Sequence, residues 1–478
     1  MINHNNLLEP NRSVWKDEAG SSEFQDASFG DDRLRQRAIR VCERLAEHPG
    51  ESIPVACNGR AEVEAAYRFF SNDKVTAARV LGPHHEASLR RLAGHPVVLC
   101  VQDTTELDYT GKQTAGLGPL NYAATNGLYL HVTTALTPQR QALGIVAQEF
   151  FMHDPACFGQ AHKRAIGYYA RPIAEKESGR WLRAFESLCA IAGLVPDTQL
   201  ICLCDCEADI YELLATAAEQ APDQPRVEYV IRSQFDRTLV GEGSLRAFVQ
   251  QQPVLGEVDF QVAATLTRRT RRVRQTVRVA PVCLKAPAGK ERWAGCVSTT
   301  AIVLTESQPP AGEAPVEWLL LSSQPVTTLA QAVETVKWYL CRWEVEVYFR
   351  IYKSGCRVER LQLEVSERLE PALALYMIIA WRIQSLVMLG RSDPDLPCDV
   401  VFDDLEWRTA FMIRHHRPPT TPPRLADMIT IIASFGGYLA RKSDPPPGPK
   451  AIWIGLQRLR DFVIARTAID EINRTCVE

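Results

Sequence analysis

Residues 97–103 read VVLCVQD, and residues 199–205 read QLICLCD. Each is a short apolar run that ends in an aspartate. Continuous runs rich in valine, isoleucine and leucine suit strands covered on both faces. The segments HVTTALTP (131–138), ALGIVAQEFFM (142–152) and VEYVIRS (227–233) extend the strand pattern, while SGRWLRAFESLCAIAGL (178–194) has a helical one. Strands, a helix and more strands imply an α/β core with a mixed sheet. Asp103 and Asp205 would then stand at the carboxyl ends of two strands, where the sites of α/β sheets gather. Local readings compete. Asp205 can cap a helix that starts in CEADIYELL, and Asp103 can be a turn residue in QDTTELDY, where Glu106 and Asp108 are rival acids.

The totals narrow the class. A chain of 478 residues, 46% hydrophobic and 23% charged, reads as an ordinary globular protein of two to four domains. A net charge of −3 offers no general attraction to nucleic acid or membrane, so any polyanion must be held by local basic patches. The opening MINHNNLLEPNRSVW lacks a basic stretch followed by an apolar core, so no signal peptide is expected and the expected location is the cytoplasm. The longest apolar run, 371–389, is interrupted by Arg382 and Gln384 and reads as a buried helix rather than a membrane span. Fourteen cysteines without a CxxC pair are expected to be reduced, and alternating Cys202, Cys204 and Cys206 read as buried thiols before zinc ligands. No Walker loop or GxGxxG is present, so no nucleotide cofactor is expected.

Residues 31–46, DDRLRQRAIRVCERLA, form an amphipathic helix that Asp31 or Asp32 can cap. Arg33, Arg37, Arg40 and Arg44 share one face; Leu34, Ala38, Val41 and Leu45 share the other. The arginine stripe suits DNA phosphate as well as it suits a plain basic surface. With a second helix near 61–72, residues 1–78 read as a helical N-terminal domain. Residues 79–389 read as a catalytic domain, with short strands and Pro/Gly turns at about 240–325 forming an antiparallel β insertion. Within it, six arginines fall between Arg268 and Arg278, and Arg272, Arg274 and Arg278 share strand parity, a pattern that points to phosphate contact. Past 390, Pro-rich breaks precede a helical C-terminal domain, 390–478.

The segment WYLCRWEVEVYFRIYKS (338–354) supplies the third acid. At about 100° per residue, Tyr339, Arg342, Glu346 and Lys353 fall within an arc of about 60°, and Glu344 falls opposite; by itself the stripe also reads as a salt-bridged solvated face with Arg342 and Glu346 as an (i, i+4) pair. Two aspartates and a helix-borne glutamate are what hard divalent cations need: Mg²⁺ prefers oxygen ligands, and two ions about 3.5–4 Å apart suit phosphoryl transfer.

Tyr339, Arg342, Glu346 and Lys353 also carry the Tyr-x2-Arg-x3-Glu-x6-Lys spacing of bacterial insertion-sequence DDE transposases. The chain resembles that cut-and-paste family, nearest the transposase of transposon five, through AYRF (66–69), QDTT (102–105), EKESGRW (175–181), CDCEADI (204–210), EWLLLSSQPV (317–326) and RWEVEVYFRIYKSG (342–355). The likeness runs in order along the chain and thins after about 390. It implies a ribonuclease-H-like core, with Asp103, Asp205 and Glu346 as the metal triad for two Mg²⁺ ions, for which Mn²⁺ can substitute. It implies that Tyr339, Arg342 and Lys353 hold DNA backbone near the cut end. Arg232 would touch DNA, and Trp318 would fill the space left by a flipped base. Double-stranded DNA and a homodimer formed on it are the implied partners, with a hairpin as the implied intermediate. Cys206 stands where the relative has arginine, and Gln102 where it has glutamate. Two other readings are a plain Mg²⁺-dependent nuclease on the same fold and a catalytically idle DNA-binding inhibitor of transposition.

Overall fold

The computed structural model describes residues 23–24, 27–122, 124–155, 167, 171–241, 243–262, 271–288 and 295–475. Arg268 and Arg269 of the insertion, and the first 22 residues, lie outside them. Four helices open the described chain: α1 (Asp32–Glu47), α2 (Ile53–Ala56), α3 (Arg60–Phe70) and α4 (Ala77–Leu92). Asp31 caps α1 by accepting from the Arg33 N–H at 2.9 Å. Ala38, Val41, Cys42 and Leu45 bury its apolar face, as the 3.6-residue period requires.

The sheet follows. Its first strands are β1 (Val97–Asp108), β2 (Gly118–Pro119), β3 (Asn126–Leu136) and β4 (Ala142–Phe151). Next come α5 (Gly179–Leu194), β5 (Gln199–Cys204), α6 (Tyr211–Ala218) and β6 (Val227–Arg232). β1, β5 and β6 are parallel neighbours, whereas β3 and β4 extend the β1 edge in antiparallel fashion. The segment after β6 contributes β7 (Thr238–Leu239), β8 (Gly243–Ser244), α7 (Leu245–Gln250), β9 (Gly256–Val262), β10 (Arg271–Lys285), β11 (Cys296–Glu306) and β12 (Glu317–Ser322). These strands do not build a layer of their own. β12 pairs antiparallel with β6, and β11 and β10 follow outward, so the insertion lengthens one twelve-stranded sheet.

Strand parity divides the core. Leu99, Val101, Ile201 and Leu203 face one large apolar cluster, shared with Phe69 and Phe70 of the N-terminal helices. Cys100, Cys202 and Cys204 face the other, packed on Trp181, Phe185 and Leu188 of α5. Cys202 and Cys204 are buried free thiols 3.4 Å apart, whereas Cys206 lies past the strand.

After the sheet come α8 (Leu329–Leu340), α9 (Glu344–Arg350) and the long α10 (Ser366–Ser392). α10 is apolar on every side because it is enclosed on every side: its most apolar stretch is 94% buried inside the chain. It is the one helix among the described residues long and apolar enough to cross a membrane. The last turns of α10 join α11 (Asp404–His415), α12 (Leu425–Phe435) and α13 (Pro449–Thr475) in a third core around Trp407, Met428 and Leu459. α13 also reaches back to α1, where Arg460 pairs with Glu47 at 2.6 Å.

A buried ionic knot binds the N-terminal segment to this frame. Glu23 pairs with Arg91 of α4 at 2.8 Å and with His84 Nδ1 at 2.6 Å. His84 Nε2 accepts from the Ile145 N–H, so Nδ1 carries the proton that reaches Glu23. Arg91 lies 4.4 Å over the Trp381 ring of α10. Burial pushes the Glu23 carboxyl up, but His84 and Arg91 outweigh it and hold it down at about 2. A carboxyl depressed in the folded state stabilises above its ordinary value of 4.5, and that stability drains away as pH falls toward about 2. Glu23→Gln is therefore expected to cost about 3–5 kcal/mol at neutral pH and to flatten the acid limb of stability between those values. Urea unfolding at several pH values measures both; an unchanged acid limb would remove Glu23 from the knot.

Candidate carboxylate site and nucleic-acid interface

The parallel register builds the site. β1 and β5 pair Val101 with Leu203, and two residues further along each chain stand Asp103 and Asp205. Neighbouring strands lie about 4.8 Å apart, and side chains repeat every second residue. Both aspartates therefore point to the side of Val101 and Leu203, where α8 and α9 pack. The two differ in one respect. Asp205 follows the last residue of β5, but β1 continues five residues past Asp103, whose partner on β3 is Val132. Asp103 thus marks the point where β5 leaves the sheet, not the end of its own strand. Asp205 also caps the short helical turn 206–208, accepting the Glu207 N–H at 2.8 Å, so the capping and site readings describe one residue.

The third acid comes from a helix that does not run straight. α8 starts with a capping box at Thr328 and Gln331 and tightens into a 3₁₀ turn, Cys341–Trp343. α9 follows, then a π turn at Ile351–Gly355. The two breaks shift Lys353 more than Glu346. Arg342 is almost buried and joins two acids, bonding Asp103 at 3.1 Å and Glu346 at 2.9 Å. Burial pushes the Asp103 carboxyl up to about 7, with help from the charges of Asp205 and Glu346 and against the pull of Arg342 and the Thr104 N–H. Tyr339 is buried beside them, and burial raises its phenol. Its ring meets Trp318 edge-on at 5.8 Å, and Trp318 in turn packs on Phe260 at 4.9 Å. Glu344 points elsewhere: it is buried and bonds Arg140 at 2.7 Å.

Three carboxylates form an all-oxygen donor set that fits a hard divalent cation. As arranged, Asp103 and Glu346 each give an oxygen to Arg342. Among the described residues no three His, Cys, Asp or Glu side chains are spaced to hold an ion.

The remaining sequence-predicted residues divide. Arg232 is exposed at the end of β6, and its charge reaches Cys206 and Tyr339 at the pocket. Lys353 is tied further along β1, to the Glu106 carbonyl at 2.8 Å and to Glu359 at 3.1 Å. On α1, Arg33 pairs with Asp31 and Arg40 loosely with Glu43. Arg44 is held by Glu47 and Glu62 at 3.1 and 2.9 Å, which makes it a brace between α1 and α3. On β10, Arg272 and Arg274 meet Asp259 of β9, and Arg274 also meets Glu257. Their stripe is matched by acids from the neighbouring strand, which parity on β10 alone does not reveal. Neither arginine stripe contacts the carboxylate pocket.

Two residues escaped the sequence reading. Arg180 bonds Thr104 and Glu207, one beside each aspartate or nearly so. Asp209 is buried; its Oδ2 accepts from Ser233 Oγ and from the N–H groups of Gln234 and Phe235, and its Oδ1 from Arg237. Among the acids of CDCEADIYELL it reads as one more favourable to a helix start, and its partners lie over 20 residues away. Asp209→Ala leaves the Arg237 guanidinium buried and unpaired, an expected loss of about 3–5 kcal/mol in urea unfolding. A loss under 1 kcal/mol would mean that the loop after β6 does not depend on this carboxylate.

Two family models match the chain. "Transposase DNA-binding" covers residues 16–75, which include α1, α2 and α3, and "Transposase Tn5 dimerisation domain" covers residues 378–473, which include the end of α10 and nearly all of the C-terminal helices. Among solved structures, the cryo-EM synaptic complex of piggyBac transposase with hairpin DNA superposes loosely, with a TM-score of 0.33 and 9% identity over 97% of this chain and 78% of that one. The two matches, one on each side of the carboxylate pocket in sequence, make the ends of the chain similar to the DNA-binding and dimerisation modules of transposases.

Proposed function

We propose that the chain is a cut-and-paste transposase whose ribonuclease-H-like core cleaves and joins DNA at Asp103, Asp205 and Glu346. The observation that carries this reading is that Arg342 joins Asp103 to Glu346 while Asp205, side by side with Asp103 on the sheet, acts on it by its charge. Two Mg²⁺ ions, or Mn²⁺ in their place, would be held by the triad and would supply positive charge to the reacting phosphate. Arg342, Tyr339 and Lys353 would set the DNA backbone against the acids, with Arg232 on the rim. Trp318, already wedged between Phe260 and Tyr339, would take the place of a base turned out of the stack.

In this reading water attacks a phosphorus at the element's end, the P–O3′ bond breaks and a 3′-hydroxyl is freed. That hydroxyl attacks the opposite strand, forming a hairpin and releasing the flanking DNA. A second water opens the hairpin, and the recovered 3′-hydroxyl attacks target DNA. Each step exchanges one P–O bond for another, so no nucleotide cofactor is needed. The protein works as a homodimer on DNA in the cytoplasm.

Asp103→Ala, Asp205→Ala and Glu346→Ala should each abolish cleavage of duplexes that carry the DNA bordering the gene, while gel-shift affinity persists. Glu344→Gln, outside the pocket and paired to Arg140, should cleave within a few-fold of the parent. Wild-type protein that binds those duplexes but never cuts or joins them would instead be an idle inhibitor. Cutting without joining would make it a nuclease.

The ion pairs of α1 bear on which of its arginines would meet DNA phosphate in this reading. On the α1 stripe Arg37 is half-buried and Arg40 is exposed with only a loose pairing to Glu43, whereas Arg44 is occupied by Glu47 and Glu62. If each of the first two contacts a phosphate, their double alanine variant should reduce the slope of log K against log salt by about two. Arg44→Ala should lower stability instead. An unchanged slope in a folded double variant would return α1 to a plain basic surface.

A further inference from the structure

The segment EKESGRW (175–181) belongs to the resemblance, yet the pocket gives it no task. Arg180 stands at the start of α5, against the sheet face opposite the carboxylate pocket. Its side chain is 13% exposed and lies 5.5 and 5.7 Å from the rings of Phe151 and Trp181. Nε donates to Thr104 Oγ1 at 2.9 Å, Nη2 to Glu207 Oε2 at 2.7 Å, and Nη1 to the Glu177 carbonyl at 3.0 Å. Two further bonds give this arrangement its meaning. The Thr104 N–H donates to Asp103 Oδ1 at 2.8 Å, and the Glu207 N–H donates to Asp205 Oδ1 at 2.8 Å. One guanidinium therefore grips the side chains of the two residues whose backbone amides orient the two aspartates. A planar fork with donors in fixed directions suits this span, and a lysine cannot make all three bonds in the same geometry.

The support continues past Thr104. Its hydroxyl oxygen accepts from Arg180, so its proton is free to reach His131 Nδ1, 2.9 Å away. His131 is buried, and burial with the charges of Arg180 and Arg183 holds it neutral, at about 3. A neutral imidazole can accept that proton.

We propose that Arg180 is a positioning residue: from the far side of the sheet it sets the spacing and aim of Asp103 and Asp205, and through them the affinity of the pocket for a divalent cation. The inference rests on the transposase reading above, and Mn²⁺ alone serves as its probe. The full-length protein and its Arg180→Ala, Arg180→Lys, Thr104→Val and Glu207→Gln variants are titrated with Mn²⁺ by calorimetry, without DNA. Thermal melting and gel shift on a linear duplex are run in parallel.

Arg180→Ala should bind Mn²⁺ at least tenfold more weakly than the parent, with duplex affinity within twofold. Arg180→Lys should fall between the two, and Thr104→Val, which keeps the arginine, should lose several-fold. The Arg180→Ala/Thr104→Val double variant should be no weaker than Arg180→Ala alone, because both act through one contact. Parental Mn²⁺ affinity in Arg180→Ala overturns the proposal. If that variant does not fold, parental affinity in both Thr104→Val and Glu207→Gln overturns it. Asp103→Ala separates the two levels of inference. If it binds Mn²⁺ like the parent, the carboxylate reading fails; if it loses Mn²⁺ while Arg180→Ala does not, only the role of Arg180 fails.

Discussion

The parallel pairing of β1 with β5 is the constraint on which the pocket depends. Pairing Val101 with Leu203 brings Asp103 and Asp205 side by side on one face. A slip of one residue would send one aspartate through the sheet, because side chains alternate. The register is secured by burial on both sides: Leu99, Val101, Ile201 and Leu203 in one core, and Cys100, Cys202 and Cys204 in the other. A slip would exchange the two sets, and each close-packed core is shaped for the side chains it holds, so the register is fixed by packing and not by polarity. The apolar runs that looked like simple core strands thus set the position of the acids that follow them.

Desolvation raises the cost of this arrangement. Carboxylates brought together away from water repel one another and lose hydration. Asp103 registers the strain in a carboxyl raised to about 7. Arg342 offsets it with bonds to Asp103 and Glu346, and a guanidinium is suited to the task because it keeps its charge when buried. The same means recurs away from the pocket: Arg91 neutralises Glu23, which also accepts from His84, and Arg237 neutralises Asp209. A chain of net charge −3 therefore uses much of its arginine internally. Charge counted along the sequence overstates what is open to DNA.

This explains which parts were legible in the sequence. The α/β core, the strand positions and the buried long helix follow from apolar periodicity, a local property. The placing of Asp103 and Asp205 beside each other, and of Glu346 by Arg342, was legible in the two apolar runs that end in an acid and in the helix stripe, with the family resemblance beside them. The arginine stripes were only half legible. Helical period gave the shared face of Arg33, Arg37, Arg40 and Arg44, but Glu62, which claims Arg44, lies on another helix. Strand parity gave the shared face of Arg272 and Arg274, but Asp259, which meets both, lies on another strand. Arg180 was not legible as a partner at all, since Thr104 is 76 residues away and Glu207 is 27.

The helix carrying Glu346 shows the same limit at finer scale. A uniform helix predicts one stripe for Tyr339, Arg342, Glu346 and Lys353. The 3₁₀ turn at 341–343 overwinds the chain, and the π turn at 351–355 underwinds it. Arg342 and Glu346 are four residues apart, across little of either break, and remain bonded. Lys353 lies within the second break and reaches Glu106, further along β1, and Glu359 in the turn that follows. The stripe therefore becomes two stations along β1, acids at one and a tethered lysine at the other. If a DNA strand runs past both, the second station meets backbone beyond the reacting phosphate, and the Lys353 ammonium proton that neither Glu106 nor Glu359 takes is the donor for it. Its role would then be to guide the strand, whereas Arg342 stays with the acids.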